Sequence, residues 1–173
     1  QTSSTEYGWI FSSPVVDNNG TIYVANGVGT LYAVSTSGAL KWTKMLYGVI
    51  TSTPALGAND YIYVCSSYSD DFATPGSSNF QVAPPGIVYA LNLNGDVVWR
   101  HEVNGKLSSS PALYGSKLYV GTERGTLYAL DALTGLEQWQ RTPQAGSSIV
   151  ASVAIDSDGN VYLTSSYNHK YSS

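Results

Sequence analysis

Short runs of apolar and aromatic residues, separated by Gly, Asn, Asp and Ser, cover most of the 173-residue chain. The clearest stretch runs from Ser109 to Trp139, where four such runs are joined by three turn-type sequences. Runs of this length bounded by turn residues are typical of β-strands in antiparallel sheets. A single four-stranded sheet cannot bury both of its faces. The pattern therefore predicts neighbouring sheets of the same kind.

Two other stretches repeat this pattern in register. In all three copies the turn glycine lies four residues before the tryptophan, and Trp42 and Trp99 each lie twelve residues before the proline of the next copy. A fourth copy begins near residue 147 and reaches its third run, around Lys170–Ser172, where the sequence ends. The shared residues are a proline before the first run and a tryptophan in the last: Pro14 and Trp42, Pro54 and Trp99, Pro111 and Trp139.

The third copy contains the sequence A-x-D-x-x-T-G-x-x-x-W, as Ala129, Asp131, Thr134, Gly135 and Trp139. This resembles the PQQ-like repeat of the quinoprotein-dehydrogenase and BamB-like β-propellers. The resemblance implies an all-β fold, a β-propeller of four-stranded antiparallel blades with about three and a half blades present. We expect one domain over residues 1–173, with blades at about 8–44, 48–101 and 105–141 and a partial blade at 147–173. The predicted blade-docking residues are Trp42, Trp99, Trp139, Asp131 and Gly135.

A 17-residue insertion interrupts the second copy between its second and third runs, within residues 67–86. Long connections in compact domains are often functional. In a propeller this one would lie on the same face as the loops that link the blades, which is the usual ligand face. The alternative is a cover for an exposed blade edge or a central opening. The residues predicted to contact a ligand or partner on that face are Trp9, in the inter-blade loop before the first copy, and Asp70, Asp71, Phe72 and Phe80 of the insertion.

Charge and composition narrow the class of partner. The net charge of −4 and the sequence pI near 4.9 argue against nucleic acid, which requires basic patches. No apolar run approaches the length of a membrane span. Few charges together with many Tyr, Gly, Ser and Thr residues favour an extracellular, cell-surface or periplasmic location. Asn19 begins an Asn-Gly-Thr sequence, which is an acceptor pattern for N-glycosylation.

No arrangement of residues points to catalysis or metal binding. His101 and His169 have no second His or Cys at ligand spacing. Asp156 opens a sequence that lacks the later acidic residue of a calcium loop, so we predict a turn. The dehydrogenases that the repeat resembles use calcium-binding carboxylates, a catalytic Asp and a vicinal disulfide, and the lone Cys65 cannot form that disulfide. We therefore expect no catalytic residue, metal or cofactor.

Three functions remain open. The favoured one is a non-enzymatic binding or scaffold module of a secreted or cell-surface protein, which mediates protein–protein interaction. A second is a structural subunit of an extracellular filament or ring, assembled through open blade edges, since unpaired sheet edges are association sites. A third is a fragment of a PQQ-dependent dehydrogenase. The expected partner is another protein or further copies of the chain.

Overall fold

A computed structural model describes residues 9–68 and 86–167, and all regular secondary structure in these ranges is β-strand. Three four-stranded antiparallel sheets follow one another along the chain, each with its strands in sequence order. The all-β fold of four-stranded antiparallel blades predicted from the sequence is thus confirmed. Blade 1 comprises β1 (Val15–Val16), β2 (Ile22–Ala25), β3 (Thr30–Val34) and β4 (Leu40–Met45). Blade 2 comprises β5 (Ala55–Leu56), β6 (Tyr61–Ser67), β7 (Gly86–Asn92) and β8 (Val97–Val103). Blade 3 comprises β9 (Ala112–Tyr114), β10 (Lys117–Gly121), β11 (Leu127–Asp131) and β12 (Glu137–Arg141).

The fourth repeat starts like the other three. Its first two repeat strands are β14 (Ala154–Ile155) and β15 (Val161–Tyr162), where Ala154 pairs with Tyr162 as Ala112 pairs with Tyr119 in blade 3. A separate short pair joins β13 (Ser147–Ser148) to β16 (Ser166–Tyr167). The third strand expected near residues 170–172 lies outside the described residues. The strands of this repeat are β13 (Ser147–Ser148), β14 (Ala154–Ile155), β15 (Val161–Tyr162) and β16 (Ser166–Tyr167).

The antiparallel order places the connections of each blade at two opposite ends. The hairpins between the first and second strands and between the third and fourth strands lie at one end, which we term the turn face. The connection between the second and third strands, and the segment that leads into the next blade, lie at the other end, which we term the loop face. The insertion of blade 2 connects β6 to β7, so it starts and ends on the loop face.

The core consists of apolar layers between successive blades. Successive side chains of one strand point to opposite faces of the sheet. Blade 2 has a neighbouring blade on each face, so its strands are buried on both sides. Val64 of β6 packs with Tyr23 and Leu31 of blade 1, whereas Cys65 packs with Leu118 of blade 3. The Cys65 thiol is fully buried, and that burial raises its pKa well above the usual range. It serves as a small apolar core residue.

A chain of hydroxyl groups also joins the blades where their first strands begin. The backbone N–H of Ser13 donates to Oγ1 of Thr53 at 3.1 Å. The Thr53 N–H donates to Oγ of Ser110 at 2.9 Å, and the Ser110 N–H donates to Oγ of Ser152 at 3.0 Å. Each blade thus supplies one side-chain acceptor to the blade before it. The same kind of hydrogen bond therefore links each repeat to the next, from the first to the fourth.

The hairpin of the fourth repeat is a self-contained turn. Oδ1 of Asp156 accepts hydrogen bonds from the backbone N–H of Asp158 and of Asn160, at 3.0 and 2.8 Å. Oδ2 accepts from the Asn160 amide and from the Tyr162 hydroxyl, each at 2.8 Å. The hydrogen bonds, led by that from the Asn160 side chain, lower the pKa of Asp156 to about 2. Asp17 holds the first hairpin in the same way. Both carboxylates are occupied by their own turns.

Acidification should destabilise the protein through these turns. The folded-state pKa of Asp156 is about 2 against an ordinary value of 3.8, so its stabilising contribution is full above about 3.8 and is lost as the pH falls towards 2. The pKa values of Asp17 and Asp131 are lowered in the same direction. Urea unfolding between about pH 5 and about pH 2 measures the loss. The Asp156→Asn variant should show a shallower pH dependence, and an unchanged slope would contradict the assignment.

Candidate functional site

The predicted docking residue Trp99 lies between blades 2 and 3. Its indole Nε1 donates to the carbonyl of Ala132 at 3.1 Å, and that carbonyl also accepts from the Tyr63 hydroxyl at 2.8 Å. The indole ring covers Gly135, where an added methyl group would lie 2.5 Å from the ring. Tyr63 packs on the same indole with ring centroids 5.9 Å apart. One tryptophan therefore joins the outer strand of its own blade to the following blade.

Trp42 repeats the contact between blades 1 and 2. Its Nε1 donates to the carbonyl of Leu93 at 2.9 Å, and its ring lies against Gly95 and 5.8 Å from the ring of Tyr23. Trp139 packs on a tyrosine too, Tyr119, with centroids 5.8 Å apart.

We term the segment between the third and fourth strands of each blade the docking turn. In blade 3 it directly follows Asp131, the last residue of β11, whose Oδ1 accepts from the backbone N–H groups of Leu133 and Thr134 and from the Thr134 hydroxyl, at 3.1, 2.8 and 2.8 Å. Ser35 and Asn92 hold the shorter turns of blades 1 and 2 in a similar way. The side chains of Asp131, Ser35 and Asn92 thus make these hydrogen bonds within their own turns, without a ligand.

The loop face of blade 1 carries exposed aromatic residues. Trp9 is 78% exposed and packs edge-to-face on Phe11, which is also exposed, with ring centroids 6.2 Å apart. The backbone carbonyl of Trp9 accepts from the N–H of Gly27 at 2.6 Å, which fixes this segment to the turn between β2 and β3. Ile10, between the two aromatic residues, is exposed as well. Three consecutive large apolar side chains therefore face solvent on an ordered segment.

A second aromatic pair lies on the other side of the same turn. The exposed ring of Tyr47 stacks on Tyr68 with centroids 5.9 Å apart. A side chain at Gly29, in the turn after β2, would collide with the backbone carbonyl of Gly48, so this turn and the Tyr47 segment are in close contact. Tyr68 is the last described residue before the insertion. Four predicted contact residues of the insertion lie outside the described residues: Asp70, Asp71, Phe72 and Phe80.

The sequence of residues 1–168 matches the family described as outer membrane protein assembly factor BamB. The chain belongs to this BamB family. No curated protein sequence matches it. Among solved structures, BamB from Moraxella catarrhalis is similar at a TM-score of 0.67 and 22% identity, over 90% of this chain and 44% of that one.

Two other solved structures share the blade arrangement. A europium-containing methanol dehydrogenase matches at a TM-score of 0.62 and 12% identity, over 88% of this chain and 38% of its own. A protein of unknown function from Bacteroides caccae matches at a TM-score of 0.62 and 12% identity, over 91% of this chain and 54% of its own. This BamB-family chain thus spans about half, or less, of the length of these three proteins.

One face of blade 1 differs from its equivalents in the later blades of this BamB-family chain. Ile10 is 61% exposed, whereas the residues at the same position in the later repeats, Ile50, Leu107 and Ile149, are 0, 1 and 0% exposed. Those three are buried by the blade that precedes each of them. We term the corresponding exposed or half-buried surface the blade 1 face, and it consists of Ile10, Ile22, Val24, Tyr32 and Val34. The equivalent strand residues of blade 2 are all buried: Ile62, Val64, Tyr89 and Leu91.

The described residues do not fit a quinone–calcium site. Within residues 9–68 and 86–167 no group of three or more His, Cys, Asp or Glu side chains lies together. The Cys65 thiol is enclosed in the core and has no neighbouring cysteine for a vicinal disulfide. His101 lies 3.8 Å from Glu137 of the next blade, an ion pair when the imidazole is protonated. His169 lies outside the described residues.

Asn19 lies exposed in the hairpin between β1 and β2, where its side chain is accessible for glycosylation.

In the described part of the chain, no helix is long and apolar enough to cross a membrane.

Deletion of residues 69–83 should leave the fold standing. Ser67 pairs directly with Gly86, so the strands flanking the insertion are already held together. The Gly86 N–H also donates to the carbonyl of Gly105 at 2.9 Å, and the Ser67 N–H donates to that of Val49 at 2.8 Å. We expect an unchanged circular dichroism spectrum and loss of any partner binding that depends on the insertion. A deletion variant that does not fold would instead make the segment structural.

Proposed function

We propose that this chain is a non-catalytic, protein-binding part of a cell-envelope or extracellular protein. The observation that carries the proposal is the exposed run of Trp9, Ile10 and Phe11 on an ordered segment of the loop face. Contiguous exposed apolar patches mark interaction sites on soluble proteins, and Trp is enriched among the residues that dominate binding energy. A partner covering this run would bury two aromatic rings and one aliphatic side chain.

The surroundings of this run suit a protein partner. Tyr47 lies beside the same turn, and tyrosine supplies a large contact area with few rotatable bonds. The hydrogen bond from Gly27 to Trp9 already fixes the backbone, so binding requires little ordering of this segment. Tyr68 stacks on Tyr47 and extends the same surface.

The family supports the same class of function and a location in the cell envelope. Its description names an assembly factor for outer membrane proteins, and we extend to this chain the role of a protein-interaction module. The sparse charge of the chain, 12% of residues, agrees with the location. The methanol dehydrogenase shares only the fold at 12% identity, and the described residues offer no carboxylate cluster for its kind of chemistry.

A second candidate is self-association, with another copy of the chain as the partner. The blade 1 face favours it, because Ile10 occupies a position that a preceding blade buries in every later repeat. A copy that covered this face would repeat a contact that the chain already makes between its own blades. Filaments or rings would follow if both ends of each copy took part.

Site-specific photo-crosslinking in living cells tests both candidates. A photoreactive phenylalanine at Phe11 should give a discrete adduct on irradiation, whereas the same group at Val98, an exposed outer-strand residue, should not. The mass of the adduct separates a different protein from a second copy. Absence of any adduct at Phe11 would contradict the proposal. Dye oxidation by the purified chain after addition of PQQ and calcium would instead support an enzyme.

A further inference from the structure

Four asparagines of the chain are followed directly by glycine. In such a pair the backbone nitrogen of the glycine can attack the side-chain amide of the asparagine, because glycine has no Cβ to shield its own nitrogen. The attack requires a glycine N–H that no acceptor holds and an asparagine side chain that is free to turn towards it. The four pairs begin at Asn19, Asn26, Asn94 and Asn104.

Two of these pairs lie in hairpin turns that hold the glycine nitrogen. The N–H of Gly20 donates to the carbonyl of Asp17 at 3.0 Å, and the N–H of Gly95 donates to the carbonyl of Asn92 at 3.0 Å. Each of these hydrogen bonds closes its own turn. The nitrogen cannot reach the neighbouring side chain without breaking that turn, so the structure protects both pairs.

The pair in the turn after β2 is held at both residues. The N–H of Gly27 donates to the carbonyl of Trp9 at 2.6 Å. The Asn26 side chain is buried, and its Oδ1 accepts from the backbone N–H groups of Val28 and Thr30 at 3.3 and 2.8 Å. This pair therefore has neither a free nitrogen nor a free side chain.

The fourth pair lacks both kinds of restraint. Asn104 is exposed and begins the segment that leads from β8 to β9 on the loop face. Its backbone N–H donates to the Tyr128 hydroxyl at 3.2 Å, which leaves the side chain unrestrained. Within residues 9–68 and 86–167, neither the Asn104 side chain nor the Gly105 N–H takes part in a hydrogen bond. Both requirements for the attack are thus met at this pair.

We propose that Asn104 is a modification site, which closes spontaneously to a succinimide and opens to isoaspartate and aspartate. The Gly105 nitrogen forms a bond to Cγ of Asn104, and the bond from Cγ to the side-chain nitrogen breaks. The proton of the Gly105 N–H leaves with that nitrogen as ammonia. Water then opens the ring. Cleavage at Cγ gives aspartate, and cleavage at the main-chain carbonyl gives isoaspartate.

The modification would alter the link between blades 2 and 3. Just after Asn104, the carbonyl of Gly105 accepts from the Gly86 N–H, and the carbonyl of Lys106 accepts from the Glu123 N–H, each at 2.9 Å. Isoaspartate adds a methylene group to the backbone ahead of these anchors, and either product adds a negative charge. The loop face should therefore change slowly with the age of the protein, whether or not the proposed partner binds there.

Peptide mapping of aged protein tests the proposal. The folded chain is held at mildly alkaline pH, which favours loss of the nitrogen's proton, and is then cut with trypsin. The peptide 101–106, between Arg100 and Lys106, contains Asn104 as its one asparagine. It should deamidate several-fold faster than Asn19 and Asn94, whereas all three should react at similar rates in guanidinium chloride. Equal rates in the folded chain would overturn the proposal.

The Asn104→Gln variant is the matched control. It keeps the amide, but the longer side chain would have to close a larger ring, so the change at this peptide should disappear. A methyltransferase specific for isoaspartate should label the aged wild-type peptide and leave the variant peptide unlabelled. Equal labelling of both, or aspartate without isoaspartate in the wild-type peptide, would contradict the succinimide route.

Discussion

Trp99→Ala should lower the free energy of unfolding by about 3 kcal/mol or more, as expected for truncation of a large packed aromatic residue. The indole fills the junction of blades 2 and 3, packs on Tyr63 and satisfies the carbonyl of Ala132. Its removal leaves a cavity against Gly135 and deletes one of the two hydrogen bonds that reach the Ala132 carbonyl across the junction. Urea unfolding followed by circular dichroism measures the loss.

Trp9→Ala is the matched control for this substitution. Trp9 is exposed and lies outside the docking register, so we expect a change within about 0.5 kcal/mol. Trp139→Ala should fall between the two, because Trp139 packs on Tyr119 but has no docking turn against it within residues 9–68 and 86–167. Equal losses at Trp9 and Trp99 would contradict the docking role of the repeat tryptophans.

Gly135→Ala should destabilise the protein by about 2–5 kcal/mol. Gly135 has φ +73°, a conformation that costs an L-residue about 1–2 kcal/mol. The new methyl group would also lie 2.5 Å from the ring of Trp99, and relief of such an overlap costs a further 1–3 kcal/mol or so. The two effects add because both arise in the folded state. Thermal or urea unfolding reports the sum.

Gly38→Ala separates the two effects. Gly38 holds the same place in the docking turn of blade 1 and has φ +83°, but nothing lies within 4 Å of an added methyl group. It should therefore show only the conformational cost of about 1–2 kcal/mol. In the Trp99→Ala background, Gly135→Ala should become as mild as Gly38→Ala. If Gly135→Ala and Gly38→Ala cost the same in the wild-type background, the glycine–tryptophan contact is not important for stability.

The strands could be predicted from the sequence because the same residues recur in register. Tyr23 and Tyr63 follow prolines at equal spacing, and each lies in the second strand of its blade. The docking turns of blades 2 and 3 each precede a tryptophan by the same distance. The spacing therefore could not show which of these two turns Trp99 contacts. That contact depends on how one blade lies on another.

The exposed surfaces were harder to predict than the strands. The alignment of Ile10 with Ile50 is visible in the sequence, but the exposure of Ile10 depends on whether a preceding blade covers it. Trp9 was predicted as a contact residue, and its exposure on the loop face is compatible with that role. The predicted contact residues of the insertion lie outside the described residues.

The central claim tested by association is that the blade 1 face packs on a second copy of the chain as the later blades pack on one another. Sedimentation velocity of the 173-residue chain at micromolar concentration tests it most directly. The account predicts concentration-dependent association that Ile10→Asp combined with Val24→Asp reduces and that Val98→Asp, on the outer strand, leaves unchanged. A monodisperse monomer at every concentration, or equal association of all three proteins, would contradict it.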